Sequence, residues 1–303
     1  MRTLDGALWV VRHAFRQKVE LPRRIRSWRR KNCEFDFTTE RNLTFRLHPG
    51  EYIDSCIFID GIYERRFLDL TRRIFHAPMG NVALDVGSNI GNHALYLADC
   101  FRQVHCFDPN PIAIERLEKN VELSRLNNIT AHAVGLSDRA DHLAFVVNRE
   151  GDLGSSHFSA AGESDSIVLP VTKGDDFVSE HNISGVDFIK IDVENHELEV
   201  FTGLKETIIR DRPIVAFEYH GGLVPEGNFE KIRSVLAGYI FVEAKYIDEN
   251  ASLWEKLKWH FAQQGQPSLT RFTRAEPRSY ENILAFPDGA ALQRLSERLG
   301  DHA

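Results

Sequence analysis

Long apolar runs are absent from the 303-residue chain: no stretch approaches the roughly 18 to 20 residues that a membrane-spanning helix needs, and residues 8–11 are too short for the apolar core of a secretory signal. Cysteine is scarce. Cys33, Cys56, Cys100 and Cys106 form no CxxC pair and no metal-ligand spacing, so they are expected to be reduced thiols of a cytoplasmic protein. Internal repeats and low-complexity tracts are missing too. A basic excess is also lacking, with 37 Lys and Arg against 44 Asp and Glu and a net charge of -7, which argues against a general nucleic-acid binder. What is present is 43% hydrophobic and 27% charged residues, enough to build a sizeable core. Wholesale disorder, collagen-like repeats and disulfide miniproteins are thereby excluded.

The charge is unevenly spread. Residues 1–32 hold ten Lys and Arg against Asp5 and Glu20, leaving the rest of the chain strongly acidic. Leu4, Leu8, Val11, Phe15 and Val19 recur at helical spacing with Arg12, Arg16 and Lys18 between them, and an arginine cluster with Trp28 follows. Such a basic amphipathic segment either lies on an anionic membrane surface, through residues 1–31, or packs as a solvated helix on its own domain. Residues 33–77 are expected to add short strands over 35–60 and a helix over 62–76, packed on a catalytic domain spanning 78–303.

From Asn81 the pattern changes to apolar runs of strand length separated by helical stretches, which predicts an α/β domain with a mostly parallel sheet and helices on both faces. Strands are expected at 82–86, 104–107, 129–133, 187–192, 214–218, 239–244 and 282–286, the last of them antiparallel. Residues 139–172 interrupt the series with strands at 142–147 and 167–171 around a Gly/Ser-rich loop that carries His157, a candidate substrate contact. Residues 250–275 read as an inserted helix and a basic connection, and a final helix begins at Pro287-Asp288.

The first strand runs into Asp85-Val86-Gly87-Ser88-Asn89-Ile90-Gly91, and a helix follows. Glycines there allow a tight turn and close approach to a ligand, and the helix start offers free N–H donors. The spacing is GxxxG after an aspartate, not the GxGxxG of a dinucleotide fold. Asp85, Asp192 and Glu218, each at a strand tip, would repel a pyrophosphate and attract a cation. S-adenosylmethionine, with its sulfonium and ammonium, suits that field. Asp108, 17 residues after Gly91, stands where a carboxylate grips a ribose diol in α/β nucleoside sites; alternatively it caps the helix that starts at Pro111.

The strings LDVGSNIG (84–91), CFDPNP (106–111), VDFIKIDVENHELEVFTG (186–203) and RPIVAFE (212–218) resemble the FkbM family of S-adenosylmethionine-dependent methyltransferases, and residues 61–64, 154–156 and 169–172 also fit its pattern. The resemblance implies the class I methyltransferase fold, Rossmann-like, with seven strands in the order 3-2-1-4-5-7-6. It implies methyl transfer to a hydroxyl of a carbohydrate or natural product. By residue match it implies cofactor contacts for Asp85, Gly87, Asn89, Gly91 and Asp108, extended to Glu64, Pro109 and Val134. Two departures stand out: Asn195 where the family commonly has glycine, and Gly174 where it commonly has leucine. Asparagine tolerates the left-handed conformation, so the turn at 195 can survive.

Lys190 and Asp192 share one strand face, and Glu218 and His220 end the strand expected beside them. Glu194 and Glu197 stand around the start of the next helix, where acids favour the dipole. An alcohol nucleophile must lose its proton near attack, so a base is needed. Asp192, Glu218 or His220 could serve, or all three could hold Mg2+ and acidify the hydroxyl directly. Lys190 is either part of this machinery or an internal ion-pair partner. Competing functions are an RNA 2'-O-methyltransferase, an NAD-linked oxidoreductase and a cofactor-binding module without activity.

Overall fold

The computed structural model describes residues 34–48, 51–75, 79–146, 157–158, 166–245, 268–276 and 278–299. The basic segment 1–32, Cys33, most of the Gly/Ser-rich loop and the expected insertion at 250–267 lie outside the described residues.

The chain enters through a hairpin of β1 (Phe35–Thr38) and β2 (Thr44–Leu47), followed by α1 (Tyr52–Asp60) and α2 (Arg65–Phe75). Residues 52–60 were expected to extend the strand pattern and instead form a helix. Its Ile57 enters the core, and Asp54 on the buried side pairs with Arg116 and accepts the His48 N–H at 2.6 Å. That ion pair reaches α4 (Pro111–Ser124), as do the bonds from Arg46 N–H to Asn120 Oδ1 at 2.7 Å and from Thr44 N–H to Ser124 Oγ at 2.9 Å.

The central sheet contains β3 (Gly80–Val86), β4 (Phe101–Phe107), β5 (Ile129–His132), β10 (Val186–Ile191), β11 (Ile214–His220), β12 (Ile240–Lys245), β13 (Ser268–Phe272) and β14 (Ser279–Phe286). They stand in the order β13-β12-β14-β11-β10-β3-β4-β5. The five strands from β5 to β11 are parallel, and β14 runs antiparallel between β11 and β12. Numbered along the chain, the seven expected strands read 3-2-1-4-5-7-6, the order of the class I methyltransferase fold. The sheet has eight strands, however: residues 268–272, expected as part of a basic connection, pair with β12 as an edge strand.

Because helices cover both faces, the inner strands are apolar on both sides. Ala83, Val104, Phe188 and Leu284 face one cluster, with α2, α3 (Asn92–Leu97), α4 and α9 (Gly289–Leu299). Leu84, Ile189, Val215 and Ile283 face the other, with α5 (Gly174–Glu180), α6 (Glu197–Gly203), α7 (Lys205–Asp211) and α8 (Asn228–Val235). A smaller sheet, order β6-β9-β7-β8, forms from β6 (Gly135–Ser137), β7 (Asp141–Val146), β8 (His157–Phe158) and β9 (Ser166–Lys173). At Gly174 the missing side chain is explained by packing, since a Cβ there would lie 2.7 Å from the Leu204 side chain. Asp175 beside it is buried and accepts the Glu206 and Thr207 amides at 2.8 Å, capping α7.

Among the described residues no helix is long and apolar enough to cross a membrane. Cys100 and Cys106 are free thiols, and burial pushes Cys100 up to about 12, which disfavours its thiolate.

Removing the buried cation of the Asp54–Arg116 pair should be costly. Arg116→Met is expected to lower unfolding free energy by about 3–5 kcal/mol in urea titration, and the double variant Asp54→Leu/Arg116→Met by less, since no charge is then stranded.

Candidate active site

The cleft lies at the carboxyl ends of β3, β4, β10 and β11, where open α/β sheets place ligands. It has a volume of about 240 Å3, and its lining includes Gly87, Asn89, Asp108, Pro109, Lys190, Asp192 and Glu218. Gly91, Asp85, His220 and Val134 are outside the lining: Asp85 is buried beneath the rim, and Val134 packs against the core face of the sheet.

The glycine loop is shaped by close approach. Gly87 has φ +81°, and a Cβ on it would fall 1.7 Å from the Asp192 carbonyl oxygen, so the loop and the end of β10 touch backbone to backbone. Gly91, at φ +84°, lets α3 start against Leu117 of α4. Asn89 is also left-handed, at φ 47°, and its N–H donates to Asp108 Oδ2 at 3.0 Å. The other Asp108 oxygen accepts the Asn110 N–H at 2.9 Å, while Asn110 itself caps α4 by accepting the Ile112 N–H. Asp108 therefore braces the loop instead of capping the helix. Burial, offset in part by those two amides, pushes its pKa up to about 6. Each of its oxygens keeps a second lone pair for a ligand hydroxyl.

Lys190 is the electrostatic centre. It pairs in register with Asp85 across β3 and β10, its Nζ lying 3.7 Å from Asp85 Oδ1, 2.9 Å from Asp192 Oδ2 and 3.4 Å from the Gly87 carbonyl. Burial works against its charge, but Asp192 and Asp85 outweigh burial and raise its pKa. For Asp192 the balance is the mirror image: burial raises it, Lys190 wins, and the carboxyl stays below its usual range. Among the described residues Glu218 has no lysine or arginine at ion-pair distance, only His220. Burial first, then Asp192 and Glu64, push it up to about 9.

Glu218 was expected at a strand tip, but β11 continues to His220. The β11–β14 ladder shifts register between Phe217 and Tyr219, where Glu218 stands opposite two residues of β14, 281 and 282, so the bulge belongs to β14 and Glu218 faces it. His220 stands behind it, Nε2 3.6 Å from Glu218 Oε2 and Nδ1 3.0 Å from Ser279 Oγ. Asn195 takes the left-handed turn expected of it, at φ 74°, and its N–H donates to the buried Glu197 Oε1 at 3.0 Å.

The Mg2+ expectation for Asp192, Glu218 and His220 is not met. Asp192 Oδ2 is bonded to the Lys190 ammonium, His220 Nδ1 lies 3.0 Å from Ser279 Oγ, and no group of three metal-ligating side chains converges among the described residues. No step is routed through a metal. A cationic nucleoside fits better. Both Asp85 oxygens, Ser88 Oγ and Asn89 Oδ1 are buried without hydrogen-bond partners, and they cluster at the glycine loop. The carboxylate and carbonyl oxygens among them are acceptors that match ammonium and hydroxyl donors.

Several lining residues gave no functional signal in the sequence: Tyr52, Asn92, His93 and Phe145; Tyr63 stood only in the 61–64 stretch that fits the family pattern. His93 is buried, its Nε2 2.8 Å from Glu64 Oε2, which places the expected contact Glu64 beside the cleft through a partner 29 residues away. The candidate contact His157 heads β8 opposite Val146.

Strand order and an acidic, glycine-lined cleft together define a class I methyltransferase. The chain matches the family model of the methyltransferase FkbM domain over residues 85–246 and belongs to that family. It is 30% identical over 150 residues to the hexuronic acid methyltransferase AglP of Haloferax volcanii, a match covering 50% of this chain and 60% of that protein's length. It is 29% identical over 172 residues to the 2-O-methyltransferase NoeI of Sinorhizobium fredii, covering 51% of this chain and 69% of the relative. The crystal structure of an FkbM methyltransferase from Methylobacillus flagellatus superposes with a TM-score of 0.42 at 16% identity, over 68% of this chain and 43% of that one.

The raised Glu218 has a stability consequence independent of activity. Its folded-state pKa of about 9 exceeds that of an unfolded glutamate, so the folded state keeps the proton longer and stability falls as pH rises between the two values. Glu218→Gln removes that cost, and its gain in Tm over the parent should be larger at pH ~8 than at pH ~5 in thermal denaturation.

Proposed function

We propose that the chain is an S-adenosylmethionine-dependent O-methyltransferase acting on a hydroxyl of a carbohydrate or glycan-like acceptor. The observation that carries the reading is the pair of carboxylates at adjacent strands, Asp192 held ionised by Lys190 at 2.9 Å and Glu218, with His220 at 3.6 Å, made more basic by burial. The relatives described as acting on a hexuronic acid and as a 2-O-methyltransferase support the acceptor class.

The cofactor's place follows from the donor set. Gly87 and Asn89 line its floor, Asp108 accepts from the ribose hydroxyls, Pro109 flanks them, Glu64 beside the cleft supplies an acceptor for the ammonium end, and Asp85 beneath the rim acts through its charge. Bound there, S-adenosylmethionine supplies a methyl group on a positively charged sulfur. Asp192 orients the acceptor hydroxyl by accepting its hydrogen bond while Lys190 keeps that carboxylate in place. Glu218 takes the hydroxyl proton as the oxygen attacks, and a carboxyl with an elevated pKa is the stronger base of the two. Glu218 would ionise more readily beside a bound cation, as any carboxyl does next to a positive charge. His220 acts through Glu218, as a positioning residue. Since the proton must be off Glu218 first, kcat/KM rises with pH up to an apparent pKa at or below about 9.

Mass spectrometry of glycan and RNA panels incubated with S-adenosylmethionine should reveal a product heavier by one methyl group on a glycan; methylation confined to RNA would overturn the acceptor class. Glu218→Gln is expected to cut kcat by about 10²–10⁴-fold while calorimetric affinity for S-adenosylhomocysteine is retained. Unchanged turnover would remove Glu218 from the base role.

A further inference from the structure

The carboxylates form one wall of the cleft. The lining also holds aromatic side chains, Phe145 and, from before the family match at 85, Tyr52 and Tyr63. Tyr52, the first residue of α1, lines the cleft with 57% of its surface exposed. Its ring meets the Tyr63 ring edge-on, at 6.0 Å and 77°. Tyr63 in turn stands close to the reacting groups: burial and then the Glu64, Asp192 and Glu218 charges push its hydroxyl above the ordinary range.

This aromatic pair is held from below. The Tyr63 N–H donates to Asn92 Oδ1 at 3.1 Å, and Asn92 Nδ2 donates back to the Tyr63 carbonyl at 3.0 Å. The next residue, Glu64, is left-handed at φ 53° and is gripped by the buried His93. Asn92 and His93 are the first two residues of the helix that follows the glycine loop. A non-glycine residue in that conformation persists only where its surroundings over-determine it, and such places cluster at functional sites. The aromatic pair is therefore locked to the loop that shapes the cofactor floor.

Resting on the methyltransferase reading above, we propose that Tyr52 and Tyr63 form the acceptor subsite and that the acceptor it takes is a neutral pyranose. A pyranose has an apolar C–H face and a rim of hydroxyls. The C–H face suits the electron-rich face of Tyr52, and the rim then reaches past Tyr63 to carboxylates that accept hydroxyl protons. Charge decides between neutral and anionic sugars. Asp108, Asp192 and Glu194 line the cleft, Lys190 is already paired with Asp192 and Asp85, and Glu218 becomes a further carboxylate once it gives up its proton. A hexuronate would add another carboxylate to that set, and a partly buried like charge is strongly disfavoured.

The test is saturation-transfer NMR on the full chain loaded with S-adenosylhomocysteine, using methyl glycosides of glucose, galactose, mannose, rhamnose and fucose, and methyl glucuronide, as probes. Transfer to the ring C–H protons of at least one neutral glycoside is expected, weaker by about fivefold in Tyr52→Ala and kept in Tyr52→Trp, with S-adenosylhomocysteine affinity unchanged in both. Three results would each overturn the subsite: undiminished transfer in Tyr52→Ala, loss of S-adenosylhomocysteine affinity there, which would make Tyr52 a cofactor contact, or stronger transfer to the glucuronide. No transfer to any glycoside in the loaded protein overturns the sugar acceptor as well. Failure of the unaltered chain to bind S-adenosylhomocysteine sinks the methyltransferase reading instead.

Discussion

One buried ammonium organises the rim of this sheet. Lys190 emerges from β10 between apolar neighbours, and water cannot satisfy it there. Its charge is kept by Asp192 at 2.9 Å and Asp85 at 3.7 Å. Because two carboxylates share this cation and Glu218 receives little of it, neighbouring acids are driven apart in proton affinity, one down and one up. Two like side chains thus take different chemical roles without any difference in residue class.

The same cation ties the glycine loop to the sheet. Lys190 Nζ lies 3.4 Å from the Gly87 carbonyl, and Gly87 touches the Asp192 carbonyl closely enough to forbid a side chain. Loop, ammonium and carboxylate therefore move as one unit. Asp108 extends the brace by accepting Asn89 N–H, so this carboxylate and the loop backbone set each other's position. A ligand entering such a frame meets acceptors already aimed, and little ordering remains to be done on binding.

What was legible in the sequence is what is local. The parallel strands announced themselves as apolar runs, and Asp85, Asp108 and Asp192 stood out as charges at the ends of those runs. Lys190 and Asp192 were visibly on one face, but that the lysine would bond to Asp192 Oδ2 depends on side-chain direction, which spacing does not encode. Helix α1 was misread because its buried side carries Asp54, whose partner Arg116 lies 62 residues away; without that partner the apolar stripe looks broken. His93 and Asn92 gave no signal for the same reason, since their roles come from Tyr63 and Glu64, 29 residues upstream. The bulge opposite Glu218 lies in β14, which is remote in sequence.

The extent of the family match and the extent of the folding unit differ, and the topology says why. Residues 85–246 include β10, β11 and β12, yet β14, at Ser279–Phe286, is the strand that lies between β11 and β12 and bonds to both. Without it the β11 edge that carries Glu218 would be unpaired and β12 would have no place in the sheet. At the other end, β3 begins before the match, and residues 52–64 supply one wall of the cleft. The chemistry therefore sits inside the matched stretch, while the surfaces that shape the approach to it come from both flanks. Flanks of this kind can diverge in sequence while the cofactor floor stays constant, because the floor answers to one ligand and the wall to whichever acceptor is presented.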